Sequence, residues 1–244
     1  MTVQDDQRER ELCRTFNLIW TPGHERGGTD AIFKAKIKGG TLSIPVEAKS
    51  TTGSSVSTAR DVGMDHIRKW RSHFWIIGYY SKSGRPELQK TLCLSPIDIE
   101  PWVATIEKKI LPDFQLAESA ALRIQMEDMF SICGEKQFYK IGDAQKLHKK
   151  QWSKNQYLTE ADLFFGKEAF FSPEKMLQLL RLRSRYIAER GATLNNPHVP
   201  KTFLDSFLGT NREINEDWSS KFRELVQEYL VNNPRHPFVN WESD

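Results

Sequence analysis

Two carboxylates and an ammonium stand at a spacing that a β-hairpin would gather into one cluster. Asp30 lies in the run Gly28-Thr29-Asp30-Ala31-Ile32-Phe33, and Glu47 and Lys49 close the run Ser43-Ile44-Pro45-Val46-Glu47-Ala48-Lys49. The Gly39-Gly40 pair between two apolar-alternating runs reads as a tight primed turn, where glycine takes positive φ at little cost. With Lys38 facing Thr41 across that turn, Asp30 falls opposite Lys49 and diagonal to Glu47. Directly opposed residues share a sheet face, and so do residues two apart on one strand. Asp30, Glu47 and Lys49 then project together, while Phe33, Ala35 and Ile37 meet Leu42, Ile44, Val46 and Ala48 on the other face. A one-residue slip in pairing would send Asp30 to the wrong side. Such a trio suits a hard divalent cation, held by the two carboxylates and the Ala48 backbone carbonyl, with waters and phosphate oxygens completing its shell. The cation would activate water and neutralise a phosphodiester, and the lysine would orient that water or offset the anionic transition state.

The flanking elements position this cluster. Apolar spacing at Leu12, Cys13, Phe16 and Ile19 predicts a helix over residues 5–19. Glu9 falls within its stripe, which leaves two readings open: a further metal or water ligand at the acidic end of the hairpin, or a solvated residue on a fraying helix. Residues 20–29 read as a loop that brings His24, Glu25 and Arg26 near the same end. The polar stretch Ser50-Thr51-Thr52-Gly53-Ser54-Ser55 offers many donors, either as a phosphate wrap or as a plain loop. Thr58 is expected to cap a basic helix running to Arg71, with Arg60, Arg68, Lys69 and Arg71 on it. Strands are expected at 74–80 and 92–94, separated by a turn around 81–86, and helices at 96–110 and 116–130. Helix–strand–strand–helix–strand–strand is an α/β (α+β) order in which the hairpin feeds a central mixed β-sheet flanked by helices.

Strand signals thin out in the second half of the chain. Ser172-Pro173-Glu174 opens a helix that Gly191 closes; Arg181 and Arg185 stand one turn apart on its polar side, and Arg183 enters the apolar arc. Apolar spacing from Ile214 to Leu230 predicts a core or dimer-packing helix, ended by Pro234, with residues 237–244 as a tail pinned by Phe238 and Trp241. The expected division is a hairpin-bearing core over residues 1–112 and a mainly helical region over 113–244, continuous with it or separate.

Composition sets bounds on partners. The 244 residues carry 39% apolar and 27% charged side chains, an ordinary folded composition. The longest apolar run, Phe74 to Tyr80, is far short of the ~20 residues that span a bilayer, and the N-terminus has no signal-peptide core, so a soluble cytoplasmic protein without a membrane partner is expected. Cys13, Cys93 and Cys133 are isolated, without metal-ligand spacing. Net charge is only +3, yet residues 136–154 hold Lys136, Lys140, Lys146, Lys149, Lys150 and Lys154 against Asp143 alone. Such a run is either a solvated face or a phosphate-binding surface.

The trio carries a resemblance. Asp30, then Glu47-Ala48-Lys49, on a hairpin behind an N-terminal helix, resembles the PD-(D/E)XK nuclease superfamily, and within it the type II restriction endonucleases; residues 5–95 follow the expected element order. Thr29 stands where the family motif has proline. A second loose match, Asp98 with Glu107-Lys108-Lys109, lies in a helical pattern that would not gather its three groups. The resemblance implies a restriction-endonuclease-like core, Mg2+-dependent cleavage of double-stranded DNA at a short sequence with Mn2+ able to substitute, a homodimer, and a cognate DNA methyltransferase as functional partner. It makes Asp30 and Glu47 metal ligands and Lys49 the catalytic lysine. Residue chemistry nominates Arg60, Arg68, Lys136, Lys140, Lys146, Lys149, Lys150 and Arg181 for phosphate contact, and Arg183, Arg185, Asn195 and Asn196 for base reading. Two other readings fit the same residues: a repair, recombination or transposition nuclease on this core, and a non-catalytic DNA-binding protein whose Asp30, Glu47 and Lys49 only pair with one another.

Overall fold

Strand alternation on either side of residue 39 forms the centre of the molecule. The computed structural model describes residues 3–20, 28–37, 40–82, 86–233 and 241–242. In chain order, helix α1 (Val3–Thr15) and the short strand β1 (Ile19–Trp20) lead to the hairpin strands β2 (Ala31–Ile37) and β3 (Gly40–Thr51). Strand β4 (Val56–Ser57), helix α2 (Met64–Ser72), strands β5 (Phe74–Tyr80) and β6 (Leu88–Leu94), and helix α3 (Pro96–Leu122) come next. The chain divides into two compact units, 1–109 with 194–244, and 110–193. The break near 110 lies close to the boundary expected at 112, but residues 194–244 belong with the first unit.

The first unit is built on a mixed sheet of order β1-β2-β3-β5-β6, with β3 and β5 parallel and the other neighbours antiparallel. A short strand at residues 213–214 closes its far edge. Hairpin register differs from the expected one by two residues. Ile37 pairs with Gly40, so the connection is Lys38-Gly39, which lies outside the described residues, and Gly40 belongs to β3. A two-residue shift preserves every side chain's face, and Phe33, Ala35, Leu42, Ile44, Val46 and Ala48 are all buried together. Pro45 is tolerated within β3 because its β2-facing neighbours are Ile44 and Val46, while on the opposite edge β5 pairing begins only at Val46.

Helix α2 starts five residues later than a Thr58 cap suggested, with Gly63 at the cap position. The Thr58 backbone N–H donates to Asn196 Oδ1 at 3.1 Å and its hydroxyl donates to the Pro197 carbonyl at 2.6 Å, so its capping capacity serves a strand contact instead. Helix α3 continues past Pro112 where a stop near Ile110 was expected. The strongest packing on the α2 side of the sheet is a trio of indoles: Trp70 of α2 lies 5.7 Å from Trp75 of β5 and 5.1 Å from Trp102 of α3, centroid to centroid. Arg71 adds a fork of hydrogen bonds to Glu100 and Glu107 on α3.

The second unit contains helices α4 (Met126–Cys133), α5 (Ile141–Leu147), α6 (Lys154–Glu160) and α7 (Pro173–Ala192) around a small antiparallel sheet of β7 (Tyr139–Lys140), β8 (Leu163–Phe165) and β9 (Glu168–Phe171). Ser172 caps α7 as its sequence predicts, accepting from the Lys175 N–H at 3.1 Å. Met129, Tyr139, Leu147, Tyr157, Phe171 and Met176 fill the core of this unit.

The chain then rejoins the first unit through β10 (His198–Val199), which pairs with β4, helix α8 (Lys201–Asp205), β11 (Glu213–Ile214) on the β6 edge, helix α9 (Trp218–Asn232), and β12 (Trp241–Glu242) beside the Thr41–Leu42 stretch of β3. Ile214, expected to open a helix, is a strand residue; the helix begins at Trp218. Phe222 of α9 is the hub of the α1 side of the sheet, with the rings of Phe16, Phe33 and Phe74 at 5.7, 5.0 and 5.9 Å. Edge-to-face pairs of this kind add about 0.5–1.5 kcal/mol each beyond the area they bury. One face of the sheet is thus sealed by α1 and α9, and the charged cluster belongs to the other. No helix among the described residues is long and apolar enough to cross a membrane.

Candidate active site

Asp30 stands one step beyond the last hairpin pair, Ala31 with Val46. Continuing that register sets it opposite Glu47 and diagonal to Lys49, the reverse of the expected assignment but on the same face. Its carboxylate extends the ladder: the Ala48 backbone N–H donates to Asp30 Oδ2 at 3.2 Å. In a strand the N–H and carbonyl of one residue leave on the same side, so the Ala48 carbonyl is directed to the Asp30 side of β3. The residue before the aspartate is tied down as well. Thr29 Oγ1 is 3.0 Å from His73 Nε2.

Glu47, Asp30 and Lys49 are buried, with residual exposures of 2, 6 and 8%. Lys49 Nζ donates to Asp30 Oδ2 at 3.0 Å and stands 2.9 Å from Glu47 Oε1. A fourth group, unanticipated from the sequence, completes the cluster. Lys69, in the last turn of α2, places Nζ 2.6 Å from Glu47 Oε2 and 3.8 Å from Asp30 Oδ1. A helix C-terminus favours a cation, but nothing in the sequence distinguished Lys69 from Arg68 and Arg71 beside it.

Electrostatics in this pocket are dominated by pairing. Burial alone would raise the pKa of Glu47, but Lys49 and Lys69 outweigh it and hold the carboxyl well below the usual carboxylate range. Burial would likewise lower Lys49, yet Asp30, then Glu47, then Glu9 carry it well above the ordinary lysine value. Lys49 is therefore a permanent cation and not a base near neutral pH. Glu9 is 7% exposed, so the solvated reading of this residue does not hold. It acts on Lys49 and on the Cys13 thiol, which burial first and then the Asp30 and Glu9 charges push up to about 12. The Glu9 charge therefore acts on the same cluster as Asp30 and Glu47.

The donor set suits a hard cation that keeps most of its shell in water and substrate oxygens. Two buried carboxylates lie on one face of adjacent strands, the Ala48 carbonyl is directed to the Asp30 side of β3, and ammonium groups serve both carboxylates, Lys69 reaching Glu47 Oε2 at 2.6 Å. Buried carboxylates of this kind are costly unless cations serve them, and a divalent ion would do so in the same place. The second loose match in the sequence is dispersed: Ser95 donates to Asp98, which also pairs with Arg212, while Glu107 is held by Arg71.

No model of a known protein family matches the chain, and no curated protein shows significant similarity to it. What the site can do therefore has to come from its own geometry.

The candidate DNA-contact residues divide by what already holds them. Arg60, Lys146, Lys149 and Lys150 are exposed, the last two with φ of 55° and 56° in the turn that closes α5. Arg68 pairs at the surface with Asp65. Arg181 donates to the Ile124 carbonyl at 3.0 and 2.7 Å, Arg183 to the Leu147 carbonyl at 2.7 Å, and Arg185 pairs with Glu189 and Glu118. Arg181 and Arg183 thus secure the second unit's own packing, and Asn196 is engaged by Thr58. Lys136 pairs with Asp143. Lys140 and Asn195 remain exposed. His24, Glu25 and Arg26 lie outside the described residues.

His73 gives this site a pH signature. Burial first, opposed by the Glu47 charge, lowers its pKa from 6.5 to about 4. The unfolded chain then binds the proton more readily than the folded one between those values, so stability is complete above about pH 6.5 and is lost as pH falls toward 4. The expected loss from this residue is on the order of 3 kcal/mol across that window. Urea midpoints measured from pH 7.5 to 4 should fall more steeply for the native protein than for His73→Gln; parallel curves would remove His73 as the cause.

Proposed function

We propose that the protein is a divalent-cation-dependent nuclease that hydrolyses phosphodiester bonds in double-stranded DNA at a short specific sequence, of the type II restriction endonuclease kind. The observation that carries this is the convergence of Asp30, Glu47 and Lys49 at the open end of one hairpin, with Asp30 locked to the Ala48 backbone. Asp30, Glu47 and the Ala48 carbonyl are the groups that would hold Mg2+, or Mn2+ in its place. When bound, the cation supplies a more acidic water and neutralises charge on the scissile phosphate. Lys49, kept protonated by both carboxylates, positions the attacking water or offsets the charge that builds on the phosphorane oxygens. Thr29 and His73 fix the backbone from which Asp30 projects.

On this reading the mixed sheet of the first unit is a restriction-endonuclease-like core. The exposed Lys146, Lys149 and Lys150 are the best candidates for phosphate contact, since their charges are not consumed by internal partners in the way of Arg181 and Arg183. A homodimer, which presents two such sites to the two strands of a duplex, and a protecting DNA methyltransferase belong to the same proposal.

The rival reading takes the two carboxylates and two lysines as a closed ionic network in a DNA-binding protein without catalysis, and the paired charges favour it to that extent. The two separate on unmethylated duplex phage DNA. Discrete fragments with Mg2+ and intact DNA with EDTA are the expected result. A smear, or cleavage confined to branched DNA, would move the assignment to a repair or recombination nuclease on the same core, and no cleavage with no divalent-ion binding would leave the closed network.

A further inference from the structure

The four carboxylate oxygens of Asp30 and Glu47 are shared between two lysines in unequal ways. Lys49 takes the inner pair, donating to Asp30 Oδ2 and lying 2.9 Å from Glu47 Oε1. Lys69 takes the outer pair from another element, the end of α2, with Nζ 2.6 Å from Glu47 Oε2 and 3.8 Å from Asp30 Oδ1. The two sets of contacts differ. Lys49 donates to Asp30 and bridges to Glu47, whereas Lys69 pairs tightly with Glu47 and stands farther from Asp30. Both lysines are almost equally enclosed, with side-chain exposures of 10 and 11%, so the difference between them is one of reach and of the element that carries them.

Charge balance changes when a dication arrives. Two carboxylates and two ammonium groups balance one another, with Glu9 adding a further negative charge near Lys49. A divalent ion held by these two carboxylates would compete with the ammonium groups for the same oxygens, a like-charge contact that a low-dielectric site makes costly. Lys49 holds both carboxylates from the hairpin itself, at 3.0 and 2.9 Å, while Lys69 comes from the end of α2 and reaches Asp30 only at 3.8 Å. Lys69 is the one that gives way.

We propose that Lys69 is a placeholder cation: it neutralises the Asp30–Glu47 pair in the absence of a divalent ion and is displaced toward solvent when one binds. The inference rests on the proposed metal centre and adds a competition between an internal ammonium and the ion. It explains how two carboxylates remain charged and buried before the ion is present, and it makes ion affinity weaker than the same two carboxylates would otherwise give. The released ammonium is then free to face a substrate phosphate.

The test is calorimetric titration of the full chain, without DNA, with Mg2+ and with Ca2+. Lys69→Met, which keeps the stem and removes the charge, is expected to bind either ion at least about tenfold more tightly than the native protein, because nothing has to be displaced. Equal or weaker binding by Lys69→Met overturns the placeholder while leaving the metal centre intact; no saturable heat from either protein removes both. Should Lys69→Met fail to fold, reductive methylation of the native protein, read by peptide mass spectrometry, decides the point. Lys69 should be modified several times faster with saturating Ca2+ than without, and an unchanged or slower rate overturns the proposal.

Discussion

Asp30→Asn is expected to lower DNA cleavage by at least about 10³-fold, because it removes one of only two carboxylates available to a cation whose stabilisation of the transition state is worth several kcal/mol. The substitution keeps the shape of the side chain and its capacity to accept from the Ala48 N–H, so the hairpin end should remain assembled. Its charge effect extends further. Lys49 and Lys69 would be left sharing Glu47, with Glu9 acting on Lys49 from α1, and breaking a buried pair costs on the order of 3–5 kcal/mol when a charge is left uncompensated. Activity and stability must therefore be read together. Cleavage measured at a temperature where circular dichroism reports the variant folded, with DNA binding retained by mobility shift, isolates the catalytic loss. Discrete cleavage by a folded Asp30→Asn within tenfold of the native rate would contradict the assignment.

The second large effect is on the scaffold. Trp70 is fully buried and touches both Trp75 and Trp102, which makes it the joint between α2, β5 and α3. Trp70→Ala should cost about 3–5 kcal/mol through the cavity and the lost contacts. For a chain of this size that corresponds to a fall in melting temperature of roughly 10 °C. Because Lys69 precedes Trp70 on the same turn, the loosened helix should also release its hold on Glu47. Trp70→Phe, which retains an aromatic face, should cost clearly less. A melting temperature for Trp70→Ala within about 2 °C of the native value would show that the indole trio is not what fixes α2.

What the sequence disclosed about the site was face, and what it concealed was neighbourhood. Strand alternation put Asp30, Glu47 and Lys49 together even though the turn was placed at Gly39-Gly40 and the pairing is Ile37 with Gly40, because a shift by two leaves the period-2 pattern unchanged. Lys69 and His73 were invisible as site residues for the opposite reason: a helix brings them in from twenty or more residues away, and no local pattern marks which cation of a basic helix turns inward. Glu9 carried a signal, its position in the apolar stripe of α1, and it is buried.

Fold elements with strong periodicity were legible in the same way. Helix α7 opens on its Ser172 cap, and β5 spans the apolar run at 74–80. Two-residue strands such as β10, β11 and β12 are too short to show alternation, so the return of residues 194–244 to the first unit left no trace in the pattern. Thr58 illustrates a competing use of one side chain. It has the chemistry of a helix cap, but long-range partners at Asn196 and Pro197 claim it.

The most direct measurement of the central claim compares native protein and Lys49→Ala on unmethylated duplex DNA with Mg2+, at a temperature where both are folded. Lys49 touches both carboxylates and has no role in the hydrophobic core. The proposed mechanism predicts discrete fragments from the native protein and intact, still bound DNA with Lys49→Ala. The same fragments from Lys49→Ala at a comparable rate would contradict it.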